Sequence, residues 1–261
     1  MGEVASQRVV VLGAGRVATH LVAALVRAGH NVAQVWSRTE ASARRLAEPW
    51  GISYTDDLDT VIADADVYIV CVADNALPLV AEQIVQRVGE TPLLLHTAGS
   101  VDMGVWHQQG AKRYGILYPL QTFSMERPVD MHEVSLFVEA SDADALAQTE
   151  AMAHSLSDRV YRADTEVRAR LHIAAVFACN FANAMYRAAH DLLSGAGIPF
   201  EVLLPLIDET ASKVHVLSPV EAQTGPAVRR DGNVMQRHME ALAENHDLRQ
   251  IYEQISKYIM Q

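Results

Sequence analysis

A short glycine pattern near the N-terminus constrains the fold of this chain more than any other feature. The segment VVVLGAGRVATHLVAAL holds Gly13, Gly15 and Ala18 at the three small positions of G-x-G-x-x-G/A, between an apolar run and a helical run. In such a turn the first glycine allows a sharp change of direction, the second lets a phosphate approach the backbone, and the third small residue lets the helix pack closely on the strand. The N–H groups that open the helix can bind an anion. The pattern therefore predicts a site for the diphosphate of a dinucleotide, with a structural glycine turn as the alternative.

Short β-rich runs alternate with helical stretches over residues 1–164. Most of these runs are continuously apolar, which is typical of a parallel sheet buried on both faces. After residue 164 only helical runs follow. We therefore predict an α/β fold, with a doubly wound, mostly parallel sheet of the Rossmann type in residues 1–164 and an all-helical C-terminal domain in residues 165–261. The predicted strands are Arg8–Leu12, Val32–Trp36, Ile52–Tyr54, Val67–Val72, Leu93–Thr97, Tyr114–Tyr118, Val134–Glu139 and Arg159–Tyr161.

The charge and composition of the chain limit its partners and its location. The 261 residues include 21 Lys and Arg against 32 Asp and Glu, so the formal net charge of −11 opposes binding to a nucleic-acid backbone or to anionic lipid. No apolar segment has the length of a secretory signal or a membrane span, and this predicts a cytoplasmic protein with a small-molecule substrate. The two cysteines lack the clustered spacing of a zinc site, and no metal is predicted.

The end of the second predicted strand indicates which dinucleotide is bound. An NAD site places a carboxylate there for the ribose hydroxyl, whereas this chain has Ser37, Arg38 and Thr39. A guanidinium beside two hydroxyls suits the 2′-phosphate of NADP, so we predict NADP and not NAD. The ends of the fourth and fifth strands should border the ribose and the nicotinamide. The predicted cofactor residues are Gly13, Ala14, Gly15, Arg16, Val17, Ser37, Arg38, Thr39, Val72, Ala73, Asn75 and Thr97.

The helix predicted over Thr165–Ser194 carries one narrow polar stripe. At 100° per residue, His172, Asn180 and Asn183 fall on one side of an otherwise apolar rod. These groups either pair with other protein groups or face a cleft at the carboxyl edge of the sheet, where they would handle the substrate. His172 is a candidate for proton transfer, with Asn180 orienting the substrate. His96, at the end of the fifth strand, is a second candidate, with a hydrogen-bonded packing residue as the alternative.

Three further polar residues are predicted to contact the substrate. Asn183 belongs to the same stripe, and Gln121 follows the sixth strand. Thr224 precedes a Gly-Pro turn and a pair of arginines in the helical half.

Several stretches together resemble a known bacterial family. They are GAGRVA, VWSRT, LHTAGS, GILYPLQTFS, HIAAVFACNFAN and TGPAVRRD, and the family joins a Rossmann-like NADP oxidoreductase domain to a C-terminal domain of unknown function. The first half is also similar to pyrroline-5-carboxylate reductase and, more distantly, to the 6-phosphogluconate and β-hydroxyacid dehydrogenases. The resemblance implies a homodimer formed through the helical domain. One position departs from the pattern: the β-hydroxyacid dehydrogenases have a catalytic Lys four residues before an Asn, but Val176 stands four residues before Asn180.

These observations predict an NADP-dependent oxidoreductase. It would transfer a hydride between nicotinamide and a small polar carbonyl, hydroxy or imine substrate at the interdomain cleft. Because the catalytic lysine is replaced, a second class of function stays open, a non-catalytic protein that senses NADP(H) or serves as an interaction module. A scaffold that binds no nucleotide is a third possibility, and it predicts no thermal stabilisation by either cofactor.

Overall fold

An eight-stranded sheet forms the centre of the computed structural model, which describes residues 6–261. The strand order is β3-β2-β1-β4-β5-β6-β7-β8. Strands β1 to β6 are parallel, β7 is antiparallel to β6, and β8 is parallel to β7. The predicted doubly wound, mostly parallel sheet is therefore confirmed. The strands are β1 Arg8–Leu12, β2 Asn31–Trp36, β3 Ser53–Thr55, β4 Val67–Val70, β5 Leu93–His96, β6 Tyr114–Leu120, β7 Ser135–Ala140 and β8 Val160–Arg162.

Eleven α-helices accompany the sheet in the described part of the chain. Their boundaries follow local signals, such as the side chains of Asp142 and Asp164, which accept hydrogen bonds from the first turns of α5 and α6. The helices are α1 Arg16–Arg27, α2 Glu40–Ala47, α3 Leu77–Val88, α4 Gly104–Gln108, α5 Ala143–Leu156, α6 Thr165–Ala175, α7 Ala182–Gly195, α8 Leu204–Lys213, α9 Pro219–Ala222, α10 Gly232–Ala241 and α11 His246–Ile259.

Two hydrophobic cores lie on opposite faces of the sheet. On one face α1, α2 and α5 pack against residues such as Val9 and Val11. On the other face α3 and α4 pack against the alternate residues of the same strand, Val10 and Leu12. Because successive strand residues point to opposite faces, both sets of side chains must be apolar, and this explains the continuous apolar runs in the sequence.

The long helix predicted over Thr165–Ser194 is not one regular α-helix. A π-helical segment, Val176–Phe181, separates α6 from α7. Each π turn takes in one residue more than an α turn, so residues before and after this segment no longer keep a phase of 100° per residue. The regular helix on which the polar stripe of His172, Asn180 and Asn183 rests is therefore not present, and the grouping of these three residues stays a prediction.

The chain folds into two compact units, one ending at Cys179 and the other beginning at Asn180. The predicted boundary after residue 164 corresponds to the end of the sheet, but α6 still belongs to the first unit. Its side chains hydrogen-bond with β6 and β7, as shown by His172 with Tyr118 and Arg168 with Glu139. Residues 1–5 belong to the N-terminal segment in which the sequence predicts no secretory signal, and they lie outside the described residues.

The second unit consists of helices with little buried interior. Among residues 180–261, Ala227 is the one residue that is buried. Many large apolar side chains are exposed, including Leu206 at 62%, Val216 at 82% and Val220 at 85%. No helix within residues 6–261 has the length and apolar character needed to cross a membrane.

Candidate functional site

A groove of about 370 Å³ opens at the carboxyl ends of β1, β2 and β4. Its walls come from the loops that follow these strands and from the starts of α2 and α3. In an open parallel sheet this edge is where ligands bind. The groove brings together most of the predicted cofactor residues, namely Gly13, Ala14, Gly15, Ser37, Arg38, Thr39, Val72, Ala73 and Asn75. The groove is also lined by residues that were not predicted from the sequence, namely Trp36, Ser42, Cys71, Ala76 and Val80.

The two glycines of the motif have different tasks in the turn after β1. Gly13 has a positive φ of 121°, and a Cβ at this position would collide with the backbone carbonyl of Cys71. Its N–H donates a hydrogen bond of 2.7 Å to the carbonyl of Trp36, which fixes the turn against β2. At Gly15, by contrast, a Cβ would meet no atom within 4 Å. Gly13 therefore shapes the turn, and Gly15 leaves space in front of it.

The start of α1 provides backbone donors beside that space. Gly15 is the N-cap residue, no side chain caps the helix, and no acidic residue lies in its first turn. Arg16 is exposed and Val17 is packed against the core on one side. Neither residue is among those that line the groove, although both contribute N–H groups to the open end of the helix. Uncapped N–H groups and the helix dipole together favour an anion at this position.

A free cation stands at the end of β2. Within residues 6–261, Arg38 makes no hydrogen bond and no ion pair, and its side chain is exposed at the groove. Ser37 is buried, and the Thr39 hydroxyl donates to the Ser42 hydroxyl over 2.9 Å. Arg44 is already neutralised by Glu48 at 3.1 Å. The arrangement of two hydroxyls and an unpaired guanidinium fits a phosphate group.

Thr97 lies beneath the groove and does not form its surface. It is 8% exposed, and its N–H donates to the carbonyl of Val70 over 3.2 Å. Burial raises the pKa of the neighbouring Cys71 thiol to about 12, against the lowering effect of a hydrogen bond with Thr97. Cys71 is therefore an uncharged wall of the groove.

A tyrosine and a histidine meet at the carboxyl ends of β5 and β6. The hydroxyl of Tyr118 lies 3.2 Å from Nδ1 of His172, which belongs to α6. Both groups pack over Gly99, where a Cβ would lie 2.6 Å from Cζ of Tyr118 and 2.9 Å from Nδ1 of His172. Burial raises the pKa of the Tyr118 phenol, so it stays protonated at neutral pH. His172 was predicted from the sequence as a candidate, but its partner Tyr118 was not.

The second proton-transfer candidate, His96, lies inside the protein. It has no exposed surface, and its Nδ1 accepts a hydrogen bond from the N–H of Ala98 over 3.2 Å. Burial and, secondarily, the charge of Arg168 lower the pKa of His96 to about 3. A neutral imidazole without access to solvent fits the packing alternative and not proton transfer to a substrate.

A buried ion pair ties α6 to the sheet near this pair. Arg168 is 1% exposed, and its Nη1 donates to Oε2 of Glu139 over 2.5 Å. Its Nη2 donates to the carbonyl of Val101 and to the hydroxyl of Thr165. Arg168 therefore fixes the first turns of α6, one turn before His172.

The remaining predicted site residues lie outside both clusters. Gln121 is exposed after β6, and its Oε1 accepts a hydrogen bond from the N–H of Thr122. Asn180 and Asn183 are exposed residues of the second unit. Thr224 lines a cavity of about 340 Å³ within that unit, whose other walls are mainly apolar. Across residues 6–261, no three His, Cys, Asp or Glu side chains come together as metal ligands.

Comparison with protein families divides the chain into two matched regions. Residues 8–97 match the family described as NADP oxidoreductase, coenzyme F420-dependent. Residues 134–259 match a domain of unknown function, DUF2520.

Similar proteins cover the chain to different extents. A Bacteroides fragilis protein provisionally named an NADP oxidoreductase has 47% identity, and the match covers 98% of this chain and 99% of that chain with a TM-score of 0.93. The pyrroline-5-carboxylate reductase of Coxiella burnetii shares the fold, with 17% identity, coverage of 98% and 96%, and a TM-score of 0.59. Glycerol-3-phosphate dehydrogenase [NAD(P)+] of Enterococcus faecalis is 27% identical over 165 residues. That match covers 54% of this chain and only 48% of the dehydrogenase.

Proposed function

Because this chain belongs to the family that joins an NADP oxidoreductase domain to a C-terminal DUF2520 domain, we propose that it is an enzyme acting on a small polar carbonyl, hydroxy or imine substrate. The family and its NADP cofactor are those that the sequence predicts. One observation carries the proposal: the glycine turn, the free Arg38 and Tyr118, which is hydrogen-bonded with His172, all lie at the carboxyl ends of parallel strands on one edge of the sheet.

The residues of the groove fit NADP. Gly15 and the N–H groups that open α1 would hold the diphosphate, in the space that a side chain would otherwise fill. Ser37, Arg38 and Thr39 would bind the 2′-phosphate, since no carboxylate is present among them to repel it. Ala73 and Asn75, after β4, would lie on the ribose side. When bound, NADPH supplies a hydride to the substrate.

His172 would donate a hydrogen bond to the substrate oxygen or nitrogen on which charge develops as the hydride arrives. Its Nδ1 is hydrogen-bonded with Tyr118, and within residues 6–261 no hydrogen bond involves its Nε2. The partly exposed ring can therefore offer Nε2 to a bound molecule. The assignment of Asn180, Asn183, Gln121 and Thr224 to the substrate stays a prediction, as do the interdomain position of the site and the cytoplasmic location.

Thermal unfolding with four nucleotides tests cofactor binding. NADP+ and NADPH should raise the Tm at concentrations where NAD+ and NADH have little effect, because a ligand stabilises the state that binds it. Arg38→Ala should weaken NADPH binding by roughly 10- to 100-fold through the loss of charged hydrogen bonds. Arg45→Ala is the matched control, since Arg45 is exposed on α2 and does not line the groove. Equal stabilisation by NADH would contradict the proposed role of Arg38.

Turnover separates the enzyme from the sensor. NADPH oxidation is followed by its absorbance with a panel of small aldehydes, ketones and cyclic imines. The enzyme should turn over at least one class, and His172→Gln should abolish that turnover while NADPH binding is retained. NADPH binding without turnover of any member would favour the non-catalytic sensor.

We further propose that the second unit joins two copies of the chain. The support is the exposed apolar surface of α7 to α11 and the apolar cavity formed by residues such as Met185, Leu192 and Ile251. Large exposed apolar patches are uncommon on monomers and mark association surfaces.

A further inference from the structure

We propose that Tyr118, packed against Gly99, is a positioning residue that holds the neutral form of His172 in the tautomer with its proton on Nε2. In that tautomer His172 donates a hydrogen bond from Nε2–H to the carbonyl oxygen or imine nitrogen and so stabilises the negative charge that develops there as the hydride arrives. Water supplies the proton that this atom takes up, and the imidazole stays neutral. The link to substrate chemistry rests on the proposed function. The tautomer itself depends only on the contacts within the first unit.

The sheet brings the two side chains together from distant parts of the chain. β6 runs parallel to β5, with Ile116 opposite His96, so Tyr118 lies beyond the last paired residue of β5. Its hydroxyl is 3.2 Å from Nδ1 of His172, and the two rings are tilted by 56° with their centres 6.2 Å apart. Nδ1 is therefore the ring nitrogen that Tyr118 controls.

The surroundings of the phenol decide the direction of this hydrogen bond. Tyr118 is 8% exposed, and within residues 6–261 its hydroxyl has no other hydrogen-bond partner than Nδ1. A buried O–H without an acceptor is costly, so the hydroxyl donates to Nδ1. A neutral imidazole that accepts at Nδ1 must carry its proton on Nε2.

The charged groups near the phenol leave it protonated. Arg168, on α6, favours the phenolate, whereas Asp74, after β4, disfavours it. Burial is the largest influence, and it raises the pKa of Tyr118. The hydroxyl therefore keeps the proton that it donates to Nδ1 throughout the neutral pH range.

Gly99 packs directly against the side chains of Tyr118 and His172. A Cβ at this position would come within 2.6 Å of the Tyr118 ring and 2.9 Å of His172 Nδ1. Any side chain would push the two groups apart, so the absence of a side chain at residue 99 is part of the arrangement. Serine and threonine, which are the natural small replacements, would also offer Nδ1 a competing hydroxyl.

Long-range ¹H–¹⁵N NMR of histidine-labelled protein tests the tautomer without any substrate. The His172 signals are those missing from His172→Gln. In the neutral form of His172, reached by raising the pH until its signals no longer change, Nε2 should carry the proton. The Nδ1 shift should be displaced from that of a free pyridine-type nitrogen because Nδ1 accepts a hydrogen bond. Tyr118→Phe should return the Nδ1 shift to the free value. A proton on Nδ1 in the wild-type protein, or an Nδ1 shift unaffected by Tyr118→Phe, would overturn the proposal.

Matched variants separate positioning from a general loss of structure. Tyr161→Phe removes a hydroxyl from an exposed strand tyrosine and should leave the His172 signals unchanged. Gly99→Ala should shift them, whereas Gly232→Ala should not, since a Cβ at Gly232 meets nothing within 4 Å.

Kinetics then connect the tautomer to catalysis. On a substrate found in the carbonyl and imine panel, Tyr118→Phe should lower kcat by roughly 3- to 10-fold, the effect of one neutral hydrogen bond, with an unchanged KM for NADPH. If the NMR result holds and no member is turned over, the proposed function fails while the positioning of His172 by Tyr118 stands.

Discussion

Gly13 and Gly15 stand two residues apart in one turn, yet their substitution should affect different properties. Gly13→Ala forces a side chain into a positive-φ backbone and against the carbonyl of Cys71. We expect the free energy of unfolding to fall by at least about 2 kcal/mol, measured by urea denaturation. Gly15→Ala, with φ of −85° and open space around it, should unfold at nearly the wild-type urea concentration.

Gly15→Ala should instead affect the binding of NADPH. Gly15→Ala places a methyl group where the diphosphate would approach, so it should fold normally and lose NADPH-induced stabilisation. A Gly15→Ala protein that binds NADPH as tightly as the wild type would contradict the assignment of this space.

His96 predicts how stability depends on pH. Burial lowers its pKa to about 3, whereas an unperturbed histidine titrates at 6.5. Below pH 6.5 the unfolded chain binds a proton that the folded chain excludes, so the free energy of unfolding falls by roughly 1.4 kcal/mol for each pH unit down to about pH 3. Between pH 7 and pH 5 the wild type should lose about 2 kcal/mol more than His96→Asn, whose amide oxygen can still accept from Ala98. Equal losses in urea denaturation would show that His96 does not carry this dependence.

The position of a residue could be predicted where it follows from neighbouring residues in the sequence. A contact between distant parts of the chain could not be predicted. The glycine turn and Arg38 follow directly after strands, where spacing alone indicates a role. Tyr118 ends an apolar strand and is indistinguishable from a core residue without its partner 54 positions away. His96 shows the converse, because a histidine at a strand end looks catalytic until its burial is known.

At the scale of the elements, the buried contact between α6 and β7 should matter more than the exposed contact between α5 and β8. Glu139→Ala leaves the guanidinium of Arg168 buried without its counter-charge, and the expected loss of stability is roughly 3–5 kcal/mol. Arg162→Ala removes an ion pair with Glu150 whose arginine is 69% exposed, and little change is expected. Chemical denaturation of both variants measures the contrast. Similar midpoints would mean that Arg168 finds another partner.

Element boundaries were predictable except where the helix departs from regular geometry. The eight strands lie where the apolar runs place them, within a few residues. The π-helical segment Val176–Phe181 has no signature in the composition of the sequence, since it contains ordinary helix-compatible residues. A phase of 100° per residue assumes a regular helix, so the spacing that predicts the stripe does not apply across this segment.

For the whole molecule, the exposed helical surface predicts self-association. We expect sedimentation to give a dimer at micromolar concentration, and the pair Leu206→Glu and Val220→Glu to shift it towards the monomer by burying charge at the interface. Leu79→Glu is the control, because Leu79 is equally exposed, at 61%, but lies on α3 of the first unit. A wild-type protein that stays monomeric over the whole concentration range would contradict the proposed dimer.

The reversal of the last two strands determines which side chain of α6 reaches Tyr118. β7 and β8 run against β6, so the chain leaves the sheet heading away from the nucleotide edge, and α6 must travel back towards it. Because Arg168 anchors α6 to β7, the number of residues between Arg168 and His172 determines which side chain lies opposite the Tyr118 hydroxyl. One residue inserted within α6, between Arg168 and Leu171, would place Leu171 opposite the phenol in place of the imidazole, while Arg168 would keep its contact with Glu139.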